Sequence, residues 1–168
     1  MNKRPLVTVD WLQSHLADNN VCVVDGSWHL PTENRDGRTE YLEAHIPGAV
    51  FFDIDAISTP SDLPHMMPSA KIFSEAASQL GLSPSNTIVV YASEGSFSAA
   101  RVWWTLKVFG FTDVRLLDGG LPAWQAAGHL VEKGEVVVEP TIVNATMQSN
   151  AVVDAALCLL YTSDAADE

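Results

Sequence analysis

Basic residues are scarce in this chain. Its 168 residues include 9 lysines and arginines against 21 aspartates and glutamates, a formal net charge of −12. That balance argues against nucleic acid and against anionic membrane surfaces as partners, because both select basic patches. A small anionic substrate stays possible, since a local nest of backbone amides overrides net charge. Cysteine is scarce too. Cys22 and Cys158 are the only two; they sit in unrelated contexts without metal-ligand spacing, as expected in a reducing compartment. No apolar run reaches the roughly 18 residues of a membrane-spanning helix. The stretch Leu6-Val7-Thr8-Val9 meets Asp10 too soon for a signal peptide, so a cytoplasmic location is expected. Gly-x-Gly-x-x-Gly and Walker patterns are missing, and His15, His29 and His129 show no metal spacing. Neither a metal nor a cofactor is expected.

With 47% hydrophobic and 18% charged residues, the composition is that of one globular domain. A folded chain of this size buries roughly 70% of its extended surface and needs no disulfide. Short β-branched runs alternate with helix-period segments, the pattern of an α/β domain with a central, mostly parallel sheet flanked by helices. Val21–Asp25, Ala49–Phe52, Thr87–Tyr91 and Val114–Leu117 read as strands. Thr87–Tyr91 is apolar on both faces, as a central parallel strand requires. Helices are expected from an Asp10 cap to Ala17, over a short stretch Glu40–Ala44, from a Ser69 cap through Ala70–Leu80, over Phe97–Phe109, and over Leu121–Ala127. Gly81, Gly110 and Gly128 end the last three. Cys22, mid-strand among valines, reads as a small buried hydrophobe. Asp118-Gly119-Gly120 reads as turn chemistry.

The chemically suggestive segment is Ala92-Ser93-Glu94-Gly95-Ser96, between the Tyr91 strand and the helix expected from Phe97. A tight strand-loop-helix junction aims several amides at one point, and the helix dipole adds positive potential there. Such a junction stabilises an anion: phosphate, thiolate, persulfide or carboxylate.

Glu43-Ala44-His45-Ile46-Pro47-Gly48-Ala49 with Phe51-Phe52-Asp53 resembles a signature of the rhodanese (sulfurtransferase) superfamily. Phe97-Ser98-Ala99-Ala100-Arg101-Val102-Trp103-Trp104 with Phe109-Gly110, then Leu117-Asp118-Gly119-Gly120-Leu121-Pro122-Ala123-Trp124, resemble the amino-terminal domain of the two-domain members. Pro64-His65-Met66-Met67-Pro68 resembles the mercaptopyruvate type. The resemblance covers about residues 5 to 156. It implies a rhodanese-like α/β fold with helices on both faces, and chemistry in which a loop cysteine takes sulfane sulfur as a persulfide and passes it to a thiophile. Here the loop Glu94-Gly95-Ser96 carries Glu94 where that cysteine would stand, and a carboxylate cannot carry sulfane sulfur. The resemblance therefore implies a vestigial anion loop and an inactive fragment. Its parent is expected to be a thiosulfate or 3-mercaptopyruvate sulfurtransferase whose second rhodanese-like domain holds the cysteine and meets the small sulfur donor. Glu94 either fills the nest as a built-in anion or points to solvent. By the same resemblance, His45 and Asp36 are expected at the cleft facing the second domain, as a carboxylate-imidazole pair. The alternative is that His45 only fixes its turn. Arg101 is expected to pair with an interdomain carboxylate or within its own domain. Trp103, Trp104 and Trp124 are core, or surface to be covered by the second domain.

The domain is expected over residues 5–134. Residues 135–156 read as an interdomain linker and the start of a missing second domain, with Val152-Val153-Asp154 echoing Val7-Thr8-Val9-Asp10. Residues 157–168 read as an artefactual or disordered tail. Two other functions are open: a stand-alone inactive binding or regulatory module built on Glu94, and a serine hydrolase using Ser98, which lies too deep in its helix for a nucleophile elbow. A fragment deprived of its partner is expected to self-associate through uncovered apolar surface.

Overall fold

The computed structural model describes residues 5–148, 151–153 and 158. Chain order is β1 (Leu6–Val7), α1 (Val9–His15), β2 (Val21–Asp25), a 3-10 turn (Pro31–Glu33), α2 (Gly37–Glu43), β3 (Val50–Phe51), α3 (Ala70–Gln79), β4 (Thr87–Tyr91), α4 (Ala99–Val108), β5 (Val114–Leu117) and α5 (Gly120–Ala126). The strands form one sheet in the order β1-β5-β4-β2-β3. Every pairing is parallel, with Val24 opposite Val90 and Val90 opposite Leu116.

The strand residues alternate between two cores, as the two-residue period of a strand requires. Val24, Ile88 and Val90 face Phe73 and Ala77 of α3 and Val102 and Leu106 of α4. Val23, Val89 and Tyr91 face Leu12 of α1 and Leu121 and Trp124 of α5. Helices thus cover both faces, and the near-continuous apolar character of β4 follows from burial on both sides. Among the described residues no helix is long and apolar enough to cross a membrane.

Because the strands are parallel, their carboxyl ends share one edge. From β2 the chain moves outward to β3; from β4 it moves the other way, to β5. The segments after β2 and β4 therefore flank a topological switch point, where open α/β sheets place ligands.

Several element boundaries differ from the sequence expectation, each for a local reason. The first helix starts at Val9 because Thr8, in extended backbone, caps it by accepting from the Trp11 amide; Asp10 falls in its first turn. Asp36 caps α2 through the Thr39 amide, so that helix begins at Gly37 rather than Glu40. The helix expected from Phe97 starts at Ala99. The Ser98 hydroxyl is drawn away to the segment after β2 and caps nothing.

Residues 135–148 have no regular secondary structure and lie pinned along α3 and the end of α4. The Ser78 hydroxyl accepts from the Val143 amide (3.0 Å) and that of Ser74 from the Ala145 amide (3.0 Å). The Gln148 amide donates to the Val108 carbonyl (2.9 Å). Val143 is buried, and Val136 and Val138 pack against the same core. Most of the segment expected as a tail, 157–168, lies outside the described residues, as does the helical echo after Val153.

Candidate functional site

The loop after β4 is stapled to the segment after β2. Ser98 Oγ donates to the Gly26 carbonyl (2.5 Å) and accepts from the Trp28 amide (3.0 Å). Ser96 Oγ donates to the Trp28 carbonyl (3.0 Å) and lies 2.6 Å from Ser98 Oγ. The Ser93 amide donates to Ser27 Oγ (2.7 Å). Gly120 closes the junction from below: it has φ +57°, and a Cβ there would lie 2.5 Å from the Ala92 carbonyl oxygen. The loop turns through Gly95 at φ +75°, a backbone that glycine adopts without strain. Glu94 is exposed. Its backbone carbonyl accepts from Arg35 Nη1 (2.7 Å). Among the described residues, no hydrogen bond of the loop amides ends on the Glu94 carboxylate. With Ser98 Oγ committed to Gly26, Trp28 and Ser96, the serine-hydrolase reading has no free nucleophile there.

Beside this loop lies a closed polar cluster. His29 Nε2 is 2.9 Å from Glu40 Oε2 and 3.2 Å from Ser93 Oγ; its Nδ1 is 3.4 Å from Glu33 Oε2, outside hydrogen-bond geometry. Arg35 grips Glu40 with Nε to Oε1 (2.6 Å) and Nη2 to Oε2 (2.8 Å), the bidentate fork that makes arginine-carboxylate pairs strong. Burial pushes the Glu40 carboxyl up, but hydrogen bonds from Arg35, His29 and Ser93 outweigh it and leave the group below its ordinary value. Arg35 is raised in turn, chiefly by its hydrogen bond to Glu40. Arg35, Glu40, Ser93, Glu94 and Gln125 line a cavity of about 220 Å³.

On the other side of the loop lies an open corner. Trp28, Ile54, His65, Phe97, Ser98 and Arg101 line a cavity of about 360 Å³. His65 has φ +55°, a left-handed backbone that costs a non-glycine residue energy and often marks functional positions. Its Nδ1 lies 2.9 Å from Asp55 Oδ1, bent away from hydrogen-bond geometry. Trp28 Nε1 donates to the other oxygen, Asp55 Oδ2 (3.0 Å). The Asp53 carboxylate fixes the Asp55 backbone by accepting from its amide (3.0 Å). Arg101 Nη2 donates to the His65 carbonyl (2.7 Å), and its guanidinium lies 4.9 Å from the Trp104 ring centre. Burial lowers the Arg101 pKa. Phe97 stands at the rim, 80% exposed.

The pair expected of Asp36 and His45 is corrected by these positions. Asp36 Oδ1 is occupied as the α2 cap, and hydrogen bonds from the Thr39 side chain and amide hold its carboxyl below its ordinary value. His45 is fully buried, stacked on Tyr41, with Nδ1 2.8 Å from the Tyr41 carbonyl. Its nearest carboxylate is Glu132, 3.9 Å from Nε2. His45 exchanges backbone hydrogen bonds with Glu132 and fixes the turn at Ile46–Ala49. Arg101 lines the cavity and donates to a carbonyl rather than to a carboxylate among the described residues, while Glu94, Gly95 and Ser96 form one continuous loop. Sequence reading missed Asp55 and His65 as a pair, and His29 with Glu33, Glu40 and Ser93. The proximity of Asp55 to Pro64-His65 after β3 was the available signal for the first. The second assembles from the segment after β2, the 3-10 turn, α2 and the end of β4, and no spacing reveals it.

Comparison with known proteins agrees with this architecture. The rhodanese-like domain family matches residues 8–127. The chain is 48% identical over 129 residues to the Arabidopsis thaliana mitochondrial thiosulfate/3-mercaptopyruvate sulfurtransferase 1, covering 76% of this chain and 34% of that protein. It is 41% identical over 160 residues to the Escherichia coli 3-mercaptopyruvate sulfurtransferase, covering 94% and 57%. The crystal structure of SseA from Escherichia coli, described as a 3-mercaptopyruvate sulfotransferase with the rhodanese fold, superposes with a TM-score of 0.91. It is 39% identical over 96% of this chain and 62% of that one. Tum1 from Saccharomyces cerevisiae gives a TM-score of 0.84 at 28% identity, over 98% of this chain and 58% of that one. The chain thus spans between about a third and somewhat over half of the curated relatives it matches, and it belongs to the rhodanese family.

Proposed function

We propose that this chain is the non-catalytic, amino-terminal half of a sulfurtransferase that moves sulfane sulfur from 3-mercaptopyruvate or thiosulfate to a thiophile. The observation that carries the reading is the loop after β4. It has the strand-loop-helix geometry of the family's site but presents Glu94, which cannot form a persulfide. Support also comes from relatives named as sulfurtransferases, of which the chain covers only part. The persulfide then forms on a cysteine of a second rhodanese-like domain. A thiolate there attacks the donor's outer sulfur. The S–S bond of thiosulfate breaks and sulfite leaves, or the C–S bond of 3-mercaptopyruvate breaks and pyruvate leaves as its enolate, to be protonated at carbon. The thiophile then takes the outer sulfur of the persulfide and frees the thiolate.

This half contributes the wall. The cavity at Trp28, Phe97 and Arg101 opens at the carboxyl edge of the sheet, where the second domain and the small sulfur donor are placed by this reading. His65, with Nδ1 turned to Asp55, keeps Nε2 available to hold or deliver a proton to the departing donor.

The test is to read the coding sequence past Asn150 and assay thiocyanate formation from cyanide. The continuous chain should form it with 3-mercaptopyruvate or thiosulfate as donor, and His65→Ala should lower its kcat by roughly 10²-fold. The 168-residue chain alone should form none. Thiocyanate production by that chain would overturn the reading. A genuine stop after Glu168 would favour the binding-module alternative instead.

A further inference from the structure

We infer that residues 141–148 form a strap that lifts from α3 and α4 as one unit while the sheet stays folded.

The chain leading to the strap is firmly fastened. His45 and Glu132 exchange both backbone bonds (3.0 and 2.8 Å), the Gly134 amide donates to the Leu42 carbonyl (2.8 Å), and Arg38 Nη2 reaches Glu135 Oε2 (2.5 Å). Val136 and Val138 pack on the core. At Gly81 the chain passes so close that a Cβ would lie 3.1 Å from Val138 Cγ2 and 3.2 Å from the Glu139 carbonyl oxygen. Pro140 follows, with no amide to bond.

Beyond Pro140 the hold is of another kind. The Thr141 amide donates to the Ser78 carbonyl (2.9 Å) and its hydroxyl to the Leu82 carbonyl (2.5 Å). The Val143 amide donates to the Ser78 hydroxyl, the Ala145 amide to the Ser74 hydroxyl and the Gln148 amide to the Val108 carbonyl. Residues 141, 143 and 145 thus turn to α3, while Ile142 between them is 91% exposed.

Three features make this contact separable. Its acceptors are spare ones: two side-chain hydroxyls, a loop carbonyl, and carbonyls in the last turns of α3 and α4 that lack helical partners. Lifting the strap breaks no bond of the sheet or of a helix ladder, and water takes each place. Val143 is the one residue of the strap that is buried, so eight residues lose conformational freedom for a single enclosed side chain. The fit is also incomplete. A cavity of about 590 Å³ lies between the two, lined by Lys71, Ser74 and Glu75 on α3 and by Asn144 and Ala145 on the strap. In β4, by contrast, Val89 and Val90 are fully buried and paired on both sides.

None of the strap's partners lines the cavity at Trp28 and Phe97. On the reading proposed above, a second domain joined beyond the strap can therefore shift while that wall stays built.

Hydrogen exchange of backbone amides, followed by NMR on the whole 168-residue chain in low urea, tests the lifting. The amides of Thr141, Val143, Ala145 and Gln148 should share one protection factor within about threefold, roughly 10²-fold below those of Val89 and Val90. Their protection should hardly change with urea, whereas that of Val89 and Val90 should fall steeply, because global unfolding exposes far more surface. Val23→Ala, on the opposite face of the sheet, should speed exchange at Val89 and Val90 roughly tenfold or more and leave the strap amides as they are. Ser78→Ala should speed exchange at Val143 about fivefold, the scale of one hydrogen bond. Strap amides that match β4 in protection and urea slope, or that accelerate with it in Val23→Ala, overturn the inference, as do four unrelated protection factors. If Val23→Ala does not fold, the urea slopes of the parent chain decide. An unchanged Val143 rate in a folded Ser78→Ala overturns the hold assigned to that hydroxyl. Each of these outcomes leaves the sulfurtransferase reading intact, since thiocyanate formation decides that separately.

Discussion

His29 and His65 both stand near the carboxyl edge of the sheet, on opposite sides of the β4 loop. The His29 side chain is 1% exposed, with Glu40 and Ser93 at one nitrogen and Glu33 at the other. The His65 side chain is 28% exposed, touches one carboxylate, and lies in strained backbone over a cavity. Both are imidazoles beside acids, yet the surroundings give them different work. Where each nitrogen already faces a neighbour, the ring holds segments together. Where one nitrogen is left over and the backbone is strained, the position serves something other than stability.

The largest expected effect tests that contrast on folding. His29→Ala should destabilise the chain by about 2–3 kcal/mol, since Glu40 and Ser93 lose a partner in a largely buried place. His65→Ala should stay within about 0.5 kcal/mol, as for ordinary partly exposed positions. His65→Gly should gain about 1 kcal/mol by relieving the left-handed backbone. Urea unfolding of the three variants measures this; equal losses at His29 and His65 would erase the distinction.

A smaller effect concerns acid. Glu40 has its pKa lowered in the folded state, so its contribution is fully present above the unfolded glutamate value, about 4.3. It is lost as pH falls from there through the folded value. Glu40→Gln should flatten the acid limb of the stability curve in that window. An unaltered limb in the variant would mean that the closed cluster carries no such linkage. Smallest is the expectation at the open side's rim. Phe97, at 80% exposure, should promote weak self-association, and Phe97→Ser should shift sedimentation velocity toward the monomer. A parent chain already monomeric at all concentrations would remove the basis for it.

The sheet was legible because Val21–Asp25 and Thr87–Tyr91 carry their burial on both faces, and that pattern is local. The position of the loop after β4 was legible for the same reason: it is where a strand ends and a helix follows. The length of that loop was not, because Ser98 prefers a carbonyl from the segment after β2 over its own helix. Of the two readings of His45, its contacts favour the one in which it fixes its turn; Tyr41 lies one helical turn earlier, but Glu132 is distant in sequence and no local pattern announces it. Arg35 and Glu40 are five positions apart, but their partners Glu94 and Ser93 come from the end of β4, distant in sequence. Local patterns disclose which elements form; polar clusters assembled from several elements depend on how those elements meet.

The pinned segment after residue 135 sets a question of reach. Its Gln148 amide bonds the Val108 carbonyl at the finish of α4, and Ala151 and Val152 beyond it still pack against the same core, whereas the cavity opens beside the start of that helix. Ten helical residues separate the two ends, about 15 Å at 1.5 Å per residue. Whatever is joined beyond Gln148 must spend about five extended residues merely to travel back alongside α4 before it arrives level with His65. Deletions just past the anchor would shorten that leash, and the distance sets how many residues it can lose before the cavity is out of range.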